Sequence, residues 1–397
     1  MQNHYIKRNK TKLNPLICAL VILYALFLAK KVYIINQSEV IMKIIDYLEI
    51  PLYLVCVYYV IAKKKYPLKF IGLGIVVSII FMIVIYESGL AELLKATILI
   101  LSFKDSDFKR LAQAYFHTTI CMTLMTIGLY ILGISDAGIG RRDYLTFGFA
   151  GAGALGQVCF YMTIQAVLSG YTRKRDTKII IFIVNCVCFV LCNNRSGIIL
   201  GMITLLICNN KLTMVFIKKG IKIVMFILPL ILTGLTFITS LLYVRSPFVQ
   251  NIDRLLSGRI LLNYRNLGLF GIKLFGQKAN FYTTNISYYN EVTKTYSTFN
   301  TIDNAYMCGF ITMGIIAMIV LYVCYILLVK KCYKDIQVNL LGIIAILCIY
   351  GLVENSILSI YVSLPFYYLT ARKISPEVTA EVKKRKRRQY SHIKPVY

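Results

Sequence analysis

Apolar runs separated by short polar breaks fill almost the whole chain. They fall near residues 14–29, 44–62, 68–86, 88–103, 111–135, 147–169, 179–193, 197–208, 221–244, 305–329, 338–353 and 355–371. Each run is continuous rather than alternating, so the pattern is that of membrane helices and not of the dyad repeat of a barrel strand. It predicts an all-α, polytopic membrane protein with about twelve transmembrane helices. The fourth run carries Glu92 and Lys95, and the eighth is short. One connection breaks the regular weave, a stretch of about sixty residues at 245–304. The expected organisation is a tail over 1–13, nine helices over 14–244, the long loop 245–304, three helices over 305–371 and a basic tail over 372–397. No internal repeat is evident, so nothing in the pattern speaks for an inverted-repeat transporter.

Charge orients these helices. Of 45 Lys and Arg, 31 fall on one set of alternate connections, where every segment holds at least three. Cytoplasmic loops carry that excess, so both termini are expected in the cytoplasm and the 245–304 loop outside. The net charge of +28 would suit nucleic acid, but its clusters, KKK at 63–65, RKR at 173–175 and KKRKRR at 383–388, sit at span ends. Membrane topology and attraction to anionic lipid account for them, and no nucleic-acid partner is expected. With 58% hydrophobic residues and mean hydropathy +0.68, the chain has more apolar surface than a water-soluble core hides. No small-residue cleavage site follows the first run, which is therefore expected to stay as an anchor. The twelve cysteines form no CxxC pair and leave 245–304 empty, and the three histidines, His4, His117 and His392, lie far apart. Neither a metal site nor a disulfide framework is expected.

The candidate chemistry lies on the outer side. Arg195, in LCNNRSGIILGMI, interrupts apolar sequence at an outward turn made by two asparagines and a glycine. An arginine there either touches lipid phosphate or forms an anion-binding post. Arg141 and Arg142, in SDAGIGRRDYLTFGF, raise the same choice. In NIDRLLSGRILLNYRNLGLFG (251–271), Ile252, Leu256, Ile260 and Tyr264 recur every four residues while Arg254, Arg259 and Arg265 lie mostly off that stripe. This predicts an amphipathic helix on the outer membrane surface, ended by Gly268. Farther along, Tyr282, Tyr288, Tyr289 and Tyr296 stand among Asn, Thr and Ser, a combination suited to sugar rings. Guanidinium groups bind phosphate through paired hydrogen bonds, so arginines converging at a headgroup suit a lipid-linked diphosphate. Two carboxylates are expected at the same level, Asp303 in NTIDNAYMCGF and Glu354 in GLVENSIL. Either pairs with an arginine or takes a proton from an attacking hydroxyl.

These segments resemble the O-antigen polymerase and ligase superfamily, and within it the Wzy-type polysaccharide polymerases. NNRSGIILGMITLLI looks like the family's arginine-containing turn and glycine-bearing span. SGR at 257–259 followed by LFG at 274–276 resembles the start of its long outer loop, and DNAYMCGFITMGIIAMIVLY (303–322) its re-entry into the membrane. RRDYLTFGF (141–149) matches an arginine followed by Gly-Phe, although Asp143 and AGAGALG stand where relatives carry His and Pro-Asn. The absence of histidine between 245 and 304 disfavours the ligase branch. The resemblance implies a metal-independent, GT-C-like glycosyltransferase of the bacterial cytoplasmic membrane, without cofactor. Its substrates would be undecaprenyl-diphosphate oligosaccharides, polymerised into capsule, exopolysaccharide or O-antigen. Arg142, Arg195, Arg259 and Arg265 would hold the diphosphate and Glu354 or Asp303 would be the base. Its partners would be membrane lipids and the flippase and chain-length regulator of the pathway. A flippase of lipid-linked oligosaccharide and a ligase of finished polymer are the competing expectations.

Overall fold

The computed structural model describes residues 14–63, 66–135, 146–150, 153–191, 195–208, 213, 215–216, 218–279, 288–290, 295–297 and 302–372. Among them lie fifteen α-helices: α1 (Pro15–Ala29), α2 (Tyr33–Asn36), α3 (Glu39–Tyr58), α4 (Leu68–Ser88), α5 (Glu92–Ser102), α6 (Phe108–Ile131), α7 (Ala154–Ser169), α8 (Arg175–Leu191), α9 (Arg195–Ile207), α10 (Lys219–Leu242), α11 (Pro247–Leu255), α12 (Arg259–Phe270), α13 (Ala305–Thr312), α14 (Gly314–Asp335) and α15 (Val338–Tyr350). The helical expectation holds, with one addition. A two-stranded hairpin, β1 (Tyr288–Asn290) and β2 (Thr295–Ser297), lies in the long loop.

Three helices, Phe108–Ile131, Gly220–Leu242 and Gly314–Asp335, are each long and apolar enough to cross a membrane, and five shorter helices are predominantly apolar. Their outer surfaces are oily. Along α10, Ile223, Ile227, Leu230, Ile231, Ile238 and Leu241 are exposed, as are Ile180, Ile183, Val187 and Val190 of α8. Such stripes would drive aggregation in water and face lipid tails without cost. The chain is an α-helical membrane protein.

Lipid gives no hydrophobic drive for one helix to meet another, so packing and interhelical hydrogen bonds hold the bundle. The central knot is buried: Gln165 Nε2 of α7 donates to the Tyr24 hydroxyl of α1 at 2.7 Å, and Tyr24 lies 2.9 Å from Thr119 Oγ1 of α6. Tyr24 also stacks on Tyr115, whose hydroxyl donates to Leu20 O. The pairs 20–115 and 24–119 make α1 and α6 parallel. The pairs 163–185 and 159–188 make α7 and α8 antiparallel. Tyr322 and Tyr325 of α14 reach Thr233 and Met225 of α10, again antiparallel.

Three predicted elements differ from the structure. The run 305–329 is broken at Met313 into α13 and α14, because residues 273–277 of the preceding loop wedge into the break. Gln277 N donates to Thr312 O, Ile315 N to Lys273 O and Ile316 N to Leu274 O. The single amphipathic helix over 251–268 is two, α11 and α12, because Ser257 and Gly258 both take left-handed conformations (φ +58° and +82°). The run 355–371 is no α-helix. It carries two 3-10 segments, Asn355–Leu358 and Leu364–Leu369, with Pro365 unable to donate a helical hydrogen bond. Irregular backbone inside a membrane must be walled in by protein, and this stretch is. Ile360, Tyr361, Val362, Leu364, Tyr367, Tyr368 and Ala371 are all buried.

Candidate functional site

The end of α1, the start of α7 and the turn after α15 meet at one end of the bundle. The residues that follow α1 are fastened first. Tyr33 N donates to Gly148 O and Ala150 N to Lys31 O, both at 2.8 Å, so Val32 and Phe149 pair as a bridge. Gly148 (φ +83°) is required there, since a Cβ would lie 2.8 Å from Thr126 O. The Gly-Phe of TFGF therefore clamps the end of α1 and fixes Lys31.

From Lys31 a chain of hydrogen bonds crosses the site. Its Nζ donates to Gln157 Oε1 at 2.9 Å, and Gln157 Nε2 donates to Glu354 Oε2 at 2.7 Å. Only one amide orientation serves both an ammonium and a carboxylate, so the network fixes it. Glu354 Oε1 accepts from Ser356 N at 3.3 Å, capping the 3-10 turn, and Ser356 Oγ lies 2.7 Å from the Tyr161 hydroxyl. The Lys31 ammonium also sits 5.5 Å from the Phe27 ring and 6.0 Å from the Tyr161 ring. Lys31 is surrounded by protein on nearly every side and yet keeps part of its surface accessible, as do Gln157, Glu354, Asn355 and Ser356. Together they form a partly accessible polar cluster.

The second carboxylate is brought here by the backbone. Asn304 Nδ2 donates to Leu352 O, Asn355 Nδ2 to Ile302 O and Ala305 N to Gly351 O, clipping 302–305 to 351–355. Asp303 therefore stands close enough for its charge to act on Glu354. Burial, followed by that charge, raises the Glu354 carboxyl above the usual carboxylate range, while Lys31 and the hydrogen bonds from Ser356 and Gln157 pull the other way. Burial pushes the Lys31 ammonium down, and Glu354 opposes it. Asp303 Oδ2 is 3.4 Å from Arg259 Nε, an ion pair too poorly aligned to be a hydrogen bond, and Arg259 Nη1 donates to Leu256 O.

Below the clip, Ala305, Tyr306, Ile357 and Leu358 open an apolar cleft of about 160 Å³ that continues down to Leu328 and Phe366. A larger apolar groove of about 740 Å³ runs along α4 from Gly74 to Tyr86. Among the described residues no three His, Cys, Asp or Glu side chains stand close enough to hold a metal ion.

Of the residues singled out in the sequence, Asp303, Glu354 and Arg259 are brought together. Arg265 stands against Tyr243 on α12; burial lowers its pKa, and its Nη2 has no hydrogen-bond partner among the described residues. Arg195 opens α9. Tyr288, Tyr289 and Tyr296 lie on the hairpin, with Tyr289 opposite Tyr296. Arg142 and Tyr282 lie outside the described residues. Lys31 and Gln157 were not anticipated. Their traces in the sequence are a Lys-Lys pair on a connection that the charge count expects outside, and one glutamine in an apolar run. No protein-family model, curated protein or solved structure matches the chain.

Proposed function

We propose that this protein is a membrane glycosyltransferase that joins undecaprenyl-diphosphate-linked oligosaccharide units into polysaccharide at the outer face of a bacterial cytoplasmic membrane. The reading takes the chain as GT-C-like, crossing the membrane about twelve times with both termini in the cytoplasm. The observation that carries it is the carboxylate pair Glu354 and Asp303, clipped together beside Lys31 and Arg259 and followed in the chain by residues that line an apolar cleft. A polyprenyl diphosphate needs that combination, an apolar path for its tail and cations for its head.

The acceptor's terminal hydroxyl attacks the anomeric carbon of the growing chain. The new bond forms as the bond from that carbon to the diphosphate oxygen breaks, and undecaprenyl diphosphate leaves with the electron pair. Glu354, in its ionised form, takes the hydroxyl proton, and Asp303 holds Arg259 in place. Arg142, Arg195, Arg259 and Arg265 bind the diphosphate and offset the charge it gains, as preorganised donors do in many enzymes. The energy of the lipid diphosphate drives the step.

The test is deletion of the gene followed by mass spectrometry of lipid-linked and surface glycans. Single repeat units accumulating on the outer leaflet, with no long polymer, are expected. Units trapped on the inner leaflet would overturn the reading in favour of a flippase, and free long polymer in favour of a ligase.

A further inference from the structure

Two lysines follow α1, and their surroundings differ. Lys30 Nζ contacts Asp46 at 2.7 Å and Glu49 at 2.5 Å. Lys95 contacts Glu49 and Glu92, and Arg259 contacts Asp303. Lys31, by contrast, has no carboxylate within ion-pair distance among the described residues. Among the described residues its side chain makes one hydrogen bond, to a neutral amide, and two aromatic faces flank it. An ammonium has three donors, so two remain for a ligand.

We propose that Lys31 binds a phosphate group of the substrate beside Glu354, and that Gln157 is the positioning residue that sets the spacing between them. Lys31, Gln157 and Glu354 are each only partly accessible, so the anion has to be compact. Ser356 is followed in the chain by Ile357 and Leu358, which line the apolar cleft, so a diphosphate carrying an apolar tail suits both parts. Lys31 then takes up charge on the leaving diphosphate while Glu354 takes the acceptor proton. The amide between them keeps the two from collapsing into a direct ion pair that would cancel both. This assignment rests on the polymerase reading for the identity of the lipid, but binding is measured without turnover.

The experiment uses the full chain in lipid nanodiscs. Lysines are acylated with an amine-reactive reagent and read by mass spectrometry, alone, with undecaprenyl diphosphate and with inorganic pyrophosphate. Protection of Lys31 by undecaprenyl diphosphate alone assigns the site to a lipid headgroup. Protection by both compounds assigns it to the diphosphate group irrespective of tail, and protection by neither overturns the proposal. In parallel, Lys31→Gln is expected to weaken undecaprenyl diphosphate binding about tenfold or more, the size of a lost charge-assisted hydrogen bond. Lys31→Arg should restore part of it, and Lys43→Gln, at an exposed pair with Glu39, should change nothing. Parent-like affinity in Lys31→Gln also overturns the proposal. The labelling needs no variant, so a misfolded substitution does not block the answer. Lys31-dependent binding without polymer formation would remove the polymerase reading and keep the site; polymer formation without Lys31 protection would do the reverse.

Discussion

Replacing Gly276 with alanine should detach the long 245–304 loop from the helices it packs against. Gly276 (φ +82°) lies in the wedge that enters the break between α13 and α14, facing Gly314 (φ +85°). A Cβ on Gly276 would lie 2.0 Å from Thr312 O and 2.7 Å from the Met313 carbonyl carbon, both backbone atoms with no freedom to turn away. The wedge would have to withdraw. It would lose the hydrogen bonds from Gln277 N, Ile315 N and Ile316 N, at 3.1, 3.2 and 3.1 Å. At about 1 kcal/mol each these come to about 3 kcal/mol; staying in place would instead meet the clash and about 1–2 kcal/mol of left-handed strain. Phe275, packed among Phe81, Val84, Leu93, Met313 and Ala317, would leave with it. Withdrawal frees the segment that follows α12, the helix that Arg259 opens. The assay is protease cleavage of the outer loop in right-side-out vesicles, alongside polymer formation. Gly268→Ala is the control, because a Cβ there meets nothing within 4 Å and the residue lies inside α12. Gly276→Ala should be cut far faster than parent and control and make little polymer. Parent-like resistance and polymer in Gly276→Ala would refute the wedge.

Glu354→Gln should abolish polymer while the protein still inserts, read by glycan gels of complemented cells. Because Glu354 titrates above the ordinary carboxylate range, parent activity should fall on the acid side at a higher pH than an unperturbed glutamate would give. The same raised value makes this group's contribution to stability complete below its unfolded pKa and lost as pH rises through its folded one. Thermal unfolding of Glu354→Gln should lack that pH dependence. Gln157→Met removes a charge-assisted donor worth about 1.5–3 kcal/mol to the carboxylate, so the acid limb of the pH–rate profile should move to still higher pH; an unmoved limb would mean that Gln157 does not tune Glu354. Arg195→Lys keeps the charge but loses the paired geometry, and should lose most polymer with normal insertion; near-normal polymer would exclude Arg195 from the diphosphate clamp.

Most helices were legible because lipid imposes a simple demand. Runs such as 14–29, 68–86 and 221–244 reappear as α1, α4 and α10 with ends shifted by a few residues. What hydropathy could not tell is whether an apolar run faces lipid or protein. Residues 355–371 read as one more apolar run, yet most of 360–371 is buried in protein, so this stretch needs no regular helix. The break at Met313 was hidden for another reason. Its cause lies about forty residues earlier, in LFG at 274–276, and only the folded chain brings Gly276 against Gly314. In the site, Asp303 and Glu354 stood out as carboxylates in outward turns. Lys31 did not, because its partner Gln157 lies 126 residues away and Glu354 a further 197 beyond that.

The two adjacent lysines show how one charged end of a membrane protein separates frame from site. Lys30, Asp46, Glu49 and Lys95 tie α1, α3 and α5 together, with Glu49 buried between two ammonium groups. Buried pairs of this kind contribute little net stability, since desolvation offsets attraction, but breaking one strands a charge and so fixes geometry. Lys30 thereby sets the position of the peptide that follows it, and the Gly148–Phe149 clamp holds that peptide from the other side. Lys31 is held at both flanks by its neighbours and, among the described residues, by no counter-ion within ion-pair distance. A cation positioned by the backbone is free to answer a ligand's charge, whereas one positioned by a carboxylate has first to give it up. The same contrast separates Gln157 from Arg259: the first orients its carboxylate through a neutral amide, the second meets Asp303 as an opposite charge. Glu354, held by a neutral amide and raised above the usual carboxylate range by burial, is the carboxylate this arrangement suits to the proposed proton transfer.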